Sequence, residues 1–222
     1  MVAFDFCSRS VLQCLHAQRR ATPHNQWETT VTTPAKALAA GDVRRLLAHV
    51  QQRPDPLRAI AMVLLSYKAG LRACEIAGLD WTMVLGARQQ VSRTLLIGAH
   101  IAKYGRSRHI PLHHELRTAL TRLHVSSGRP SSGPVVTSQR GGYLRPRSVV
   151  NWFGALYGEL GFDGCSSHSG RRTFITQAAR LVSKTGGSLK DIQELAGHRA
   201  LTTTERYIEG DRDAQRKLVQ LL

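Results

Sequence analysis

The spacing of apolar residues after residue 35 is mainly helical. Apolar side chains recur on one face after Asp42, which predicts a helix with Asp42 as its N-cap and an end near Gln52. Asp55 and Pro56 then open a very apolar helix that ends at Gly70, in the manner of a glycine C-cap. Its near-continuous hydrophobicity predicts that this second helix lies at the centre of the core.

A short helix from about Cys74 is followed by a stretch rich in Val, Thr, Leu and Ile, which favours strands. We expect strands at 82–85, 94–102 and 108–112, with a turn at 103–107 that contains Gly105. Helical patterns resume at about 113–125, 146–160, 169–182, 188–196 and 202–208, and a last amphipathic piece covers about 211–222. The predicted fold class is α+β, mainly helical, with a small antiparallel sheet or hairpin.

The sequence predicts a short N-terminal arm followed by one larger domain. Residues 1–34 lack a periodic pattern and end in a polar stretch, so we expect a loose arm, or one short helix over residues 4–19. Residues 35–222 are expected to form one domain that includes the C-terminal tail helix. A chain of 222 residues can bury a sizeable core, and it contains no internal repeat or low-complexity tract.

The formal net charge is +16 at pH 7, and such an excess favours a polyanionic partner. Nucleic acid, an anionic membrane surface and an acidic protein all fit that description. The basic residues are scattered through apparently folded segments, which disfavours the membrane surface. No apolar run approaches the roughly 20 residues that span a bilayer, and the N-terminal region lacks the apolar stretch of a secretory signal. The expected location is the cytoplasm, at the nucleoid when the protein is bound to DNA.

The cysteines and histidines show no metal-binding spacing. The four cysteines, Cys7, Cys14, Cys74 and Cys165, form no CxxC or Cys/His zinc pattern, and we interpret them as thiols. The ten histidines are mostly too dispersed for a shared ligand set. We therefore expect no metal site.

Three short segments carry polar residues at spacings that suggest a shared site. Segment 70–75 reads Gly-Leu-Arg-Ala-Cys-Glu, so an arginine follows a cap glycine and precedes an acid by three residues. Segment 168–171 reads His-Ser-Gly-Arg, and its His and Arg share one face of a helix start. Segment 197–207 ends a helix at a glycine and places a tyrosine nine residues after a histidine.

In this order, the segments resemble the tyrosine recombinase or phage integrase family, whose pattern is GLRxxE, a hairpin lysine, HxxR, and GH followed by a tyrosine. The resemblance covers roughly residues 36–210. It implies that a tyrosine attacks a DNA phosphodiester while two arginines, two histidines and a lysine handle charge and protons. The matching positions are Arg72, Lys103, His168, Arg171, His198 and Tyr207, with Glu75 in a supporting position.

These residue types suit phosphoryl transfer without a metal. Arginine forks donate bidentate hydrogen bonds to non-bridging oxygens, and two imidazole donors would complete an electrostatic clamp. Tyr207 would displace a 5'-hydroxyl and form a 3'-phosphotyrosyl link, which conserves the bond energy and makes ATP or another cofactor unnecessary. Lys103 is the candidate acid for the leaving oxygen. Two roles stay open for His168, a base for Tyr207 or a stabiliser of charge.

Three further arginines are candidate DNA contacts. Arg106 and Arg108 lie in the same predicted hairpin as Lys103 and compete with it for the role of hairpin cation, and Arg172 follows Arg171. Two positions depart from the usual family pattern. Gly170 stands where an apolar anchor is common, and Arg172 stands where a histidine is frequent.

The expected function is site-specific DNA recombination, in integration, excision or resolution. The resemblance implies double-stranded DNA as partner, a homo-tetramer on synapsed DNA, and a monomer or weak oligomer without DNA. A helper protein is left open, and the separate N-terminal clamp domain of relatives is expected to be absent or reduced. Two alternatives are a DNA-binding remnant or regulator without productive recombination, and a nicking-closing enzyme like type IB topoisomerases. A supercoiled plasmid and a denaturing gel for covalent adducts would separate them.

Overall fold

The very apolar helix predicted after Asp55 is the centre of the fold. A computed structural model describes residues 34–207, Arg216, Val219 and Gln220, and in it this helix is α2 (Pro56–Lys68). The Asp55 carboxylate accepts a hydrogen bond from the Arg58 amide at 3.3 Å, so Asp55 caps the helix as predicted. Gly70 follows the helix with a φ of +62°, a left-handed conformation that suits glycine.

Helices surround α2 on several sides. It packs against α1 (Ala40–Gln51), α3 (Ala73–Gly78), α4 (His114–Ser126) and α6 (Ser169–Leu181). Outside this layer, α5 (Pro146–Glu159) packs on α3, while α7 (Leu189–Ala196) contacts both α6 and α8 (Leu201–Glu205). The core is apolar, and its largest fully buried side chains are Trp81, Tyr157 and Phe153.

A two-stranded antiparallel sheet joins β1 (Thr94–Ile97) and β2 (Arg108–Pro111). The register pairs Leu95 with Ile110, and both side chains are buried. The turn between the strands contains a short 3-10 segment, Lys103–Gly105, and β2 also contacts α7. The mainly helical α+β fold with one small antiparallel hairpin is therefore confirmed.

Three predictions about single elements were wrong for local reasons, and the first two concern the start of α1 and the segment after Asp80. Asp42 is not the N-cap of α1 but its third residue, where its carboxylate accepts the amide of Ala39 at 2.9 Å, so the helix begins earlier. The strand predicted at 82–85 is a 3-10 helix, Trp81–Met83, because the Asp80 carboxylate caps it through the amide and hydroxyl of Thr82.

The strand predicted at 94–102 is also shorter than expected and ends at Ile97. The carbonyl of Gly98 accepts hydrogen bonds from the amides of Ile101 and Ala102, so the chain turns there instead of continuing the ladder. Ile101 then packs beside Gly78, where a Cβ would lie 2.5 Å from Cγ2 of Ile101. This turn brings Lys103 back toward the helices.

Some predictions fall outside the described residues. They include the helix over residues 4–19, the thiols of Cys7 and Cys14, and most of the tail helix at 211–222. Within the described chain, Cys74 and Cys165 are free thiols. Among the described helices, none has both the length and the apolar composition that a membrane crossing requires.

Candidate active site

The six residues predicted to carry the chemistry line one open pocket of about 550 Å³. They come from the loop before α3, the hairpin turn, the N-cap and first turn of α6, the loop after α7 and the residues just after α8. Tyr104, Arg199 and Thr203 line the same pocket, and none of the described residues that line it carries a carboxylate. The predicted residues in the pocket are Arg72, Lys103, His168, Arg171, His198 and Tyr207.

Arg171 is anchored by hydrogen bonds to two backbone carbonyls. Its side chain is buried, and its two terminal nitrogens donate to the carbonyls of Gly70 and Ala196, each at 2.6 Å. A guanidinium has five N–H donors, so these two bonds leave others for a ligand in the pocket. The loop after α2 and the end of α7 therefore fix the orientation of Arg171 before any ligand arrives.

Arg72 is held in a similar way at the N-terminus of α3. Its Nη2 donates to the Gly197 carbonyl at 3.1 Å, and its Nη1 donates to Glu75 Oε1 at 2.9 Å. The other carboxylate oxygen of Glu75 accepts the backbone amide of Arg72 at 2.9 Å, which closes a capping box. The supporting position predicted for Glu75 thus has a specific geometry, since this carboxylate orients the side chain and backbone of Arg72.

Arg108 binds the same carboxylate from the opposite element. Both of its terminal nitrogens donate to Glu75 at 2.8 Å, and its Nε donates to the Leu195 carbonyl at 3.0 Å. Its side chain is only 7% exposed. This geometry does not fit the DNA contact predicted for Arg108 and favours a structural role, in which it ties β2 to α3 and to the end of α7.

His198 and Tyr207 form the other wall of the pocket. The His198 ring is stacked on the Tyr207 ring with centroids 5.7 Å apart, and its Nδ1 lies 2.9 Å from the buried hydroxyl of Thr204. The guanidinium carbon of Arg172 lies 5.5 Å from the centroid of the Tyr207 ring. Arg172 therefore contacts the candidate nucleophile, and its predicted contact with DNA stays a prediction.

The hairpin turn presents exposed cations at the pocket. Lys103 is exposed, and its ammonium lies 5.1 Å from the centroid of the Tyr104 ring. Arg106 is also exposed, and it lines an adjoining cavity rather than the main pocket. Only Lys103 of the three hairpin cations lines the main pocket, which favours it over Arg106 and Arg108 as the hairpin residue of the site.

Burial and neighbouring positive charges lower the pKa values of three of the site residues, Arg171, His198 and His168. Burial, followed by the charge of Arg72, lowers the pKa of Arg171 to about 9. Burial and then the charges of Arg171, Arg72 and Arg108 lower the pKa of His198 to about 4. Desolvation and the nearby cations also lower the pKa of His168. At neutral pH, His198 is therefore a neutral imidazole.

The glycine at the start of α6 allows close packing on α2. A Cβ at Gly170 would lie 2.3 Å from the Ser66 hydroxyl oxygen and 3.2 Å from its backbone carbon. An apolar anchor, common at this position in the family, would not fit here without separating the two helices. Glycine at position 170, in place of the usual apolar residue, thus allows α6 and its Arg171 to lie close to α2.

Among the described residues, one cluster outside the pocket has metal-ligand geometry. The ligand atoms of His113, His114 and Glu115 lie within 4.8 Å of one another. The Lys68 ammonium, however, lies 3.3 Å from Glu115 and 3.4 Å from His113. This lysine already pairs with the Glu115 carboxylate and places a positive charge where a metal ion would bind. None of the three residues of this cluster is among those that line the candidate active site.

Several residues that build the site were not singled out from the sequence. Thr204 holds the His198 ring, Tyr104 borders the pocket, and Gln193 donates to the carbonyls of His198 and Arg199. The only sequence signal for Tyr104 was its position between Lys103 and Gly105. The contacts of Thr204 and Gln193 depend on how the loop after α7 folds, which a motif does not encode.

Comparison with known proteins agrees with the order of these residues. The sequence profile of the Phage integrase family matches residues 36–213, most of the chain. The chain belongs to the Phage integrase family. Membership confirms the family resemblance that the three motifs indicated.

Curated relatives in this integrase family are named tyrosine recombinases. Tyrosine recombinase XerC of Actinobacillus pleuropneumoniae serotype 7 is 31% identical over 178 residues, which is 79% of this chain and 55% of that protein. Tyrosine recombinase XerC of Bradyrhizobium diazoefficiens is 33% identical over 159 residues, 68% of this chain and 45% of that protein. The chain thus spans about half the length of these curated relatives.

Solved structures show the same integrase fold. The Tn1549 transposon integrase in complex with transposon right end DNA matches with a TM-score of 0.67 at 20% identity, over 86% of this chain and 67% of that chain. The XerA recombinase matches with a TM-score of 0.63 at 19% identity, over 85% of this chain and 66% of that chain. At this level of identity, the similarity concerns the fold alone.

Proposed function

We propose that this chain is the catalytic unit of a site-specific tyrosine recombinase, which cleaves and rejoins DNA through a 3'-phosphotyrosyl intermediate. The convergence of six predicted residues on one pocket carries the proposal. The names of the curated relatives and the DNA in the titles of matched structures support it. Residues 35–222 form the proposed catalytic domain, and residues 1–34 the arm.

The clamp on the phosphodiester consists of Arg72 and Arg171. Each uses two donors on carbonyls or Glu75, which fixes its fork and leaves other donors for non-bridging oxygens. Donors that are already oriented need no reorganisation as charge develops in the transition state. The neutral imidazole of His198 adds a hydrogen-bond donor without a further positive charge.

The bond changes assign roles to Tyr207, Lys103 and His168. The Tyr207 oxygen attacks phosphorus, the bond from phosphorus to the 5'-oxygen breaks, and Lys103 protonates that oxygen. The lowered pKa of His168 favours its neutral form at pH 7, which supports a role in accepting the phenol proton. The new phosphotyrosyl bond conserves the energy of the old one, so the scheme requires no ATP, metal or other cofactor.

The proposed oligomeric state follows from the reaction, because strand exchange between two DNA duplexes requires cleavage of four strands. We propose that four protomers act on synapsed double-stranded DNA and that the protein is a monomer or weak oligomer otherwise. DNA binding would place it at the nucleoid. A helper protein that bends the DNA is compatible with this scheme.

Covalent capture tests the proposal and finds the target site. The protein is incubated with a genomic DNA library, denatured, and the DNA attached to protein is recovered and its ends are sequenced. Wild type should give adducts at a recurrent sequence, whereas Tyr207→Phe should give none while its DNA binding stays nearly unchanged. Adducts that persist in Tyr207→Phe would refute the assignment.

The same preparation separates recombination from its alternatives. Relaxation of a supercoiled plasmid without exchange between two captured sites would indicate a nicking-closing enzyme. Specific DNA binding without adducts or relaxation would indicate a DNA-binding remnant.

Arg171→Ala should lower the cleavage rate at least about a hundredfold, as the loss of one transition-state donor does.

A further inference from the structure

A second cavity of about 460 Å³ adjoins the candidate active site, between the hairpin turn and α7. Lys103, Tyr104, His198 and Arg199 line both the cavity and the catalytic pocket, so a ligand can extend from one to the other. The volume lies within the range of roughly 300–1,000 Å³ that is usual for small-molecule sites. The cavity is thus large enough for one nucleotide beside the scissile phosphate.

Positive charge dominates the walls of this cavity. Arg106, Lys190 and Arg199 are exposed along it. Glu194, the one acid among the described residues that line it, lies 3.8 Å from the Lys190 ammonium. Lys190 also donates to the side-chain oxygen of Gln193 at 3.2 Å. The excess of cations favours an anion such as a phosphodiester group.

Tyr104 lies at the boundary between the two cavities, and this residue is 62% exposed. Its φ of +72° lies in the left-handed region, which is uncommon for a residue of this size, and Gly105 follows with a φ of +65°. Asparagine and glycine are the usual residues in such a turn. A large aromatic ring that is both exposed and held in an unfavourable backbone conformation points to a contact outside the chain.

Strand exchange would supply a ligand with matching chemistry. A cleaved strand that joins a new partner must first leave its complement, so the base at its 5'-hydroxyl end loses its pair and exposes both ring faces. Sites for single-stranded nucleic acid combine aromatic rings, on which bases stack, with a groove of cations along the backbone. Tyr104 and the neighbouring cations have this composition.

We propose that the cavity beside the hairpin binds the unpaired 5'-hydroxyl nucleotide of the exchanging strand, with Tyr104 stacked on its base and Lys190 and Arg106 near its 3'-phosphate. This inference rests on the proposed recombinase function. The bound nucleotide would hold its 5'-oxygen toward the phosphotyrosyl group. That oxygen attacks phosphorus, and its proton passes to Lys103, which cleavage left neutral. The bond to the Tyr207 oxygen breaks, and the phenolate takes back its proton from His168.

Rejoining by a preformed adduct tests the site. A duplex with the sequence recovered on Tyr207 is nicked a few nucleotides 3' of the cleavage point, so that the short 5'-hydroxyl fragment diffuses away and the adduct accumulates. An incoming 5'-hydroxyl oligonucleotide then carries either thymine or an abasic residue at its 5' end. The intact strand carries an abasic residue opposite, so pairing does not hold the base. The rejoining rate is measured against oligonucleotide concentration.

The protein substitution and the removal of the base are combined in a double-mutant cycle, which isolates the contact between them. For wild type, removal of the thymine base should raise the half-saturating concentration at least about fivefold, the lower end of the contribution from one base–aromatic stack. Tyr104→Asn, which tolerates the left-handed backbone, should raise it equally with thymine and show no further penalty with the abasic end. Tyr104→Phe should behave as wild type because it keeps the ring.

Two outcomes would overturn the stacking contact. One is a Tyr104→Asn variant with the half-saturating concentration of wild type, and the other is a Tyr104→Asn penalty that is the same for thymine and abasic ends. If wild type forms no adduct at all, the proposed function fails instead, so the two failures are distinguishable.

Paired lysine variants test the phosphate contact. Lys190→Gln should raise the half-saturating concentration at low salt and lose this effect at high salt, because its contribution is electrostatic. Lys184→Gln, an exposed lysine that does not line the cavity, is the matched control and should behave as wild type. Equal effects of both variants would refute a specific phosphate contact at Lys190.

Discussion

His198 lies among the positive charges of Arg171, Arg72 and Arg108, which add to partial burial in lowering its pKa to about 4. An unfolded histidine has a pKa near 6.5, so between these values the unfolded chain binds a proton that the folded chain does not. The contribution of His198 to the free energy of unfolding is therefore fully present above about pH 6.5, and it is lost as the pH falls toward 4.

His198→Gln should remove that pH dependence because glutamine has no titrating group. As pH falls from 7 to 4, wild type should lose roughly 1–3 kcal/mol more unfolding free energy than the variant. Urea unfolding at a series of pH values measures the difference. Parallel curves for the two proteins would show that His198 titrates normally in the folded chain.

Lys103 is proposed to protonate the leaving 5'-oxygen, and the chemistry of the leaving group tests this role. A thiolate leaves without a proton, since its conjugate acid has a pKa of about 8.5. Replacement of the bridging 5'-oxygen by sulfur should therefore restore cleavage by Lys103→Ala, but not by Arg171→Ala, whose lost donors act on non-bridging oxygens. Single-turnover cleavage of both substrates is the measurement.

Arg106→Ala is the control for the sulfur substrate, since Arg106 lies in the same turn but outside the main pocket. Rescue of Arg106→Ala in place of Lys103→Ala would move the acid to that position. If sulfur rescues neither variant, the acid lies outside the hairpin, or Lys103 only holds the DNA.

At the scale of elements, the contact between α6 and α2 sets the position of Arg171. Gly170→Ala would introduce a Cβ 2.3 Å from the Ser66 hydroxyl oxygen, so the helices would have to separate. We expect a loss of about 1–3 kcal/mol in unfolding free energy, as for other overpacked cores, together with slower cleavage. Denaturant unfolding and the single-turnover cleavage rate measure the two effects.

Gly158→Ala is the matched control for this substitution. Gly158 lies in α5, and a Cβ there would meet nothing within 4 Å in the described part of the chain. Because alanine is the better helix former, Gly158→Ala should raise stability by up to about 1 kcal/mol and leave cleavage unchanged. A Gly170→Ala variant that behaved like this control would mean that α6 shifts at no cost.

At the scale of the whole molecule, a net charge of +16 predicts salt-dependent DNA binding. The logarithm of the binding constant should fall with the logarithm of salt concentration, by about 0.9 for each phosphate neutralised. Arg106→Gln should reduce that slope by about 1 and preserve stability, since Arg106 is exposed. Filter binding or fluorescence anisotropy over a salt series gives the slope.

For Arg108→Met, two residues from Arg106, we predict the opposite result, with stability changed and the salt slope unchanged. Its guanidinium is buried on Glu75, so the variant should keep the salt slope of wild type but lose about 3–5 kcal/mol of stability, because a buried carboxylate loses its main partner. A change in slope equal to that of Arg106→Gln would return Arg108 to the DNA contacts.

The sequence by itself was sufficient for the helical fold, the hairpin and the family. The reason is that helix periodicity, the Asp55 cap and the glycine after α2 are local signals, decided by residues a few positions apart. Motif order was equally informative for the candidate site, because a tyrosine nine residues after a histidine is rarely combined by chance with GLRxxE and HxxR. All six residues named on that basis line one pocket.

Tertiary structure alone decided which cations face a ligand and which face the core. Arg106 and Arg108 are chemically equivalent in the sequence, yet only Arg108 meets a buried carboxylate, contributed by α3 from 33 positions away. Exposure of Tyr104 and the close approach at Gly170 likewise depend on elements distant in sequence. A buried charge such as that of Arg108 is tolerated only where an opposite charge lies against it. A glycine such as Gly170 is needed only where another element packs too closely for a side chain. In both cases the neighbouring residue is distant in sequence and is brought there by the tertiary fold.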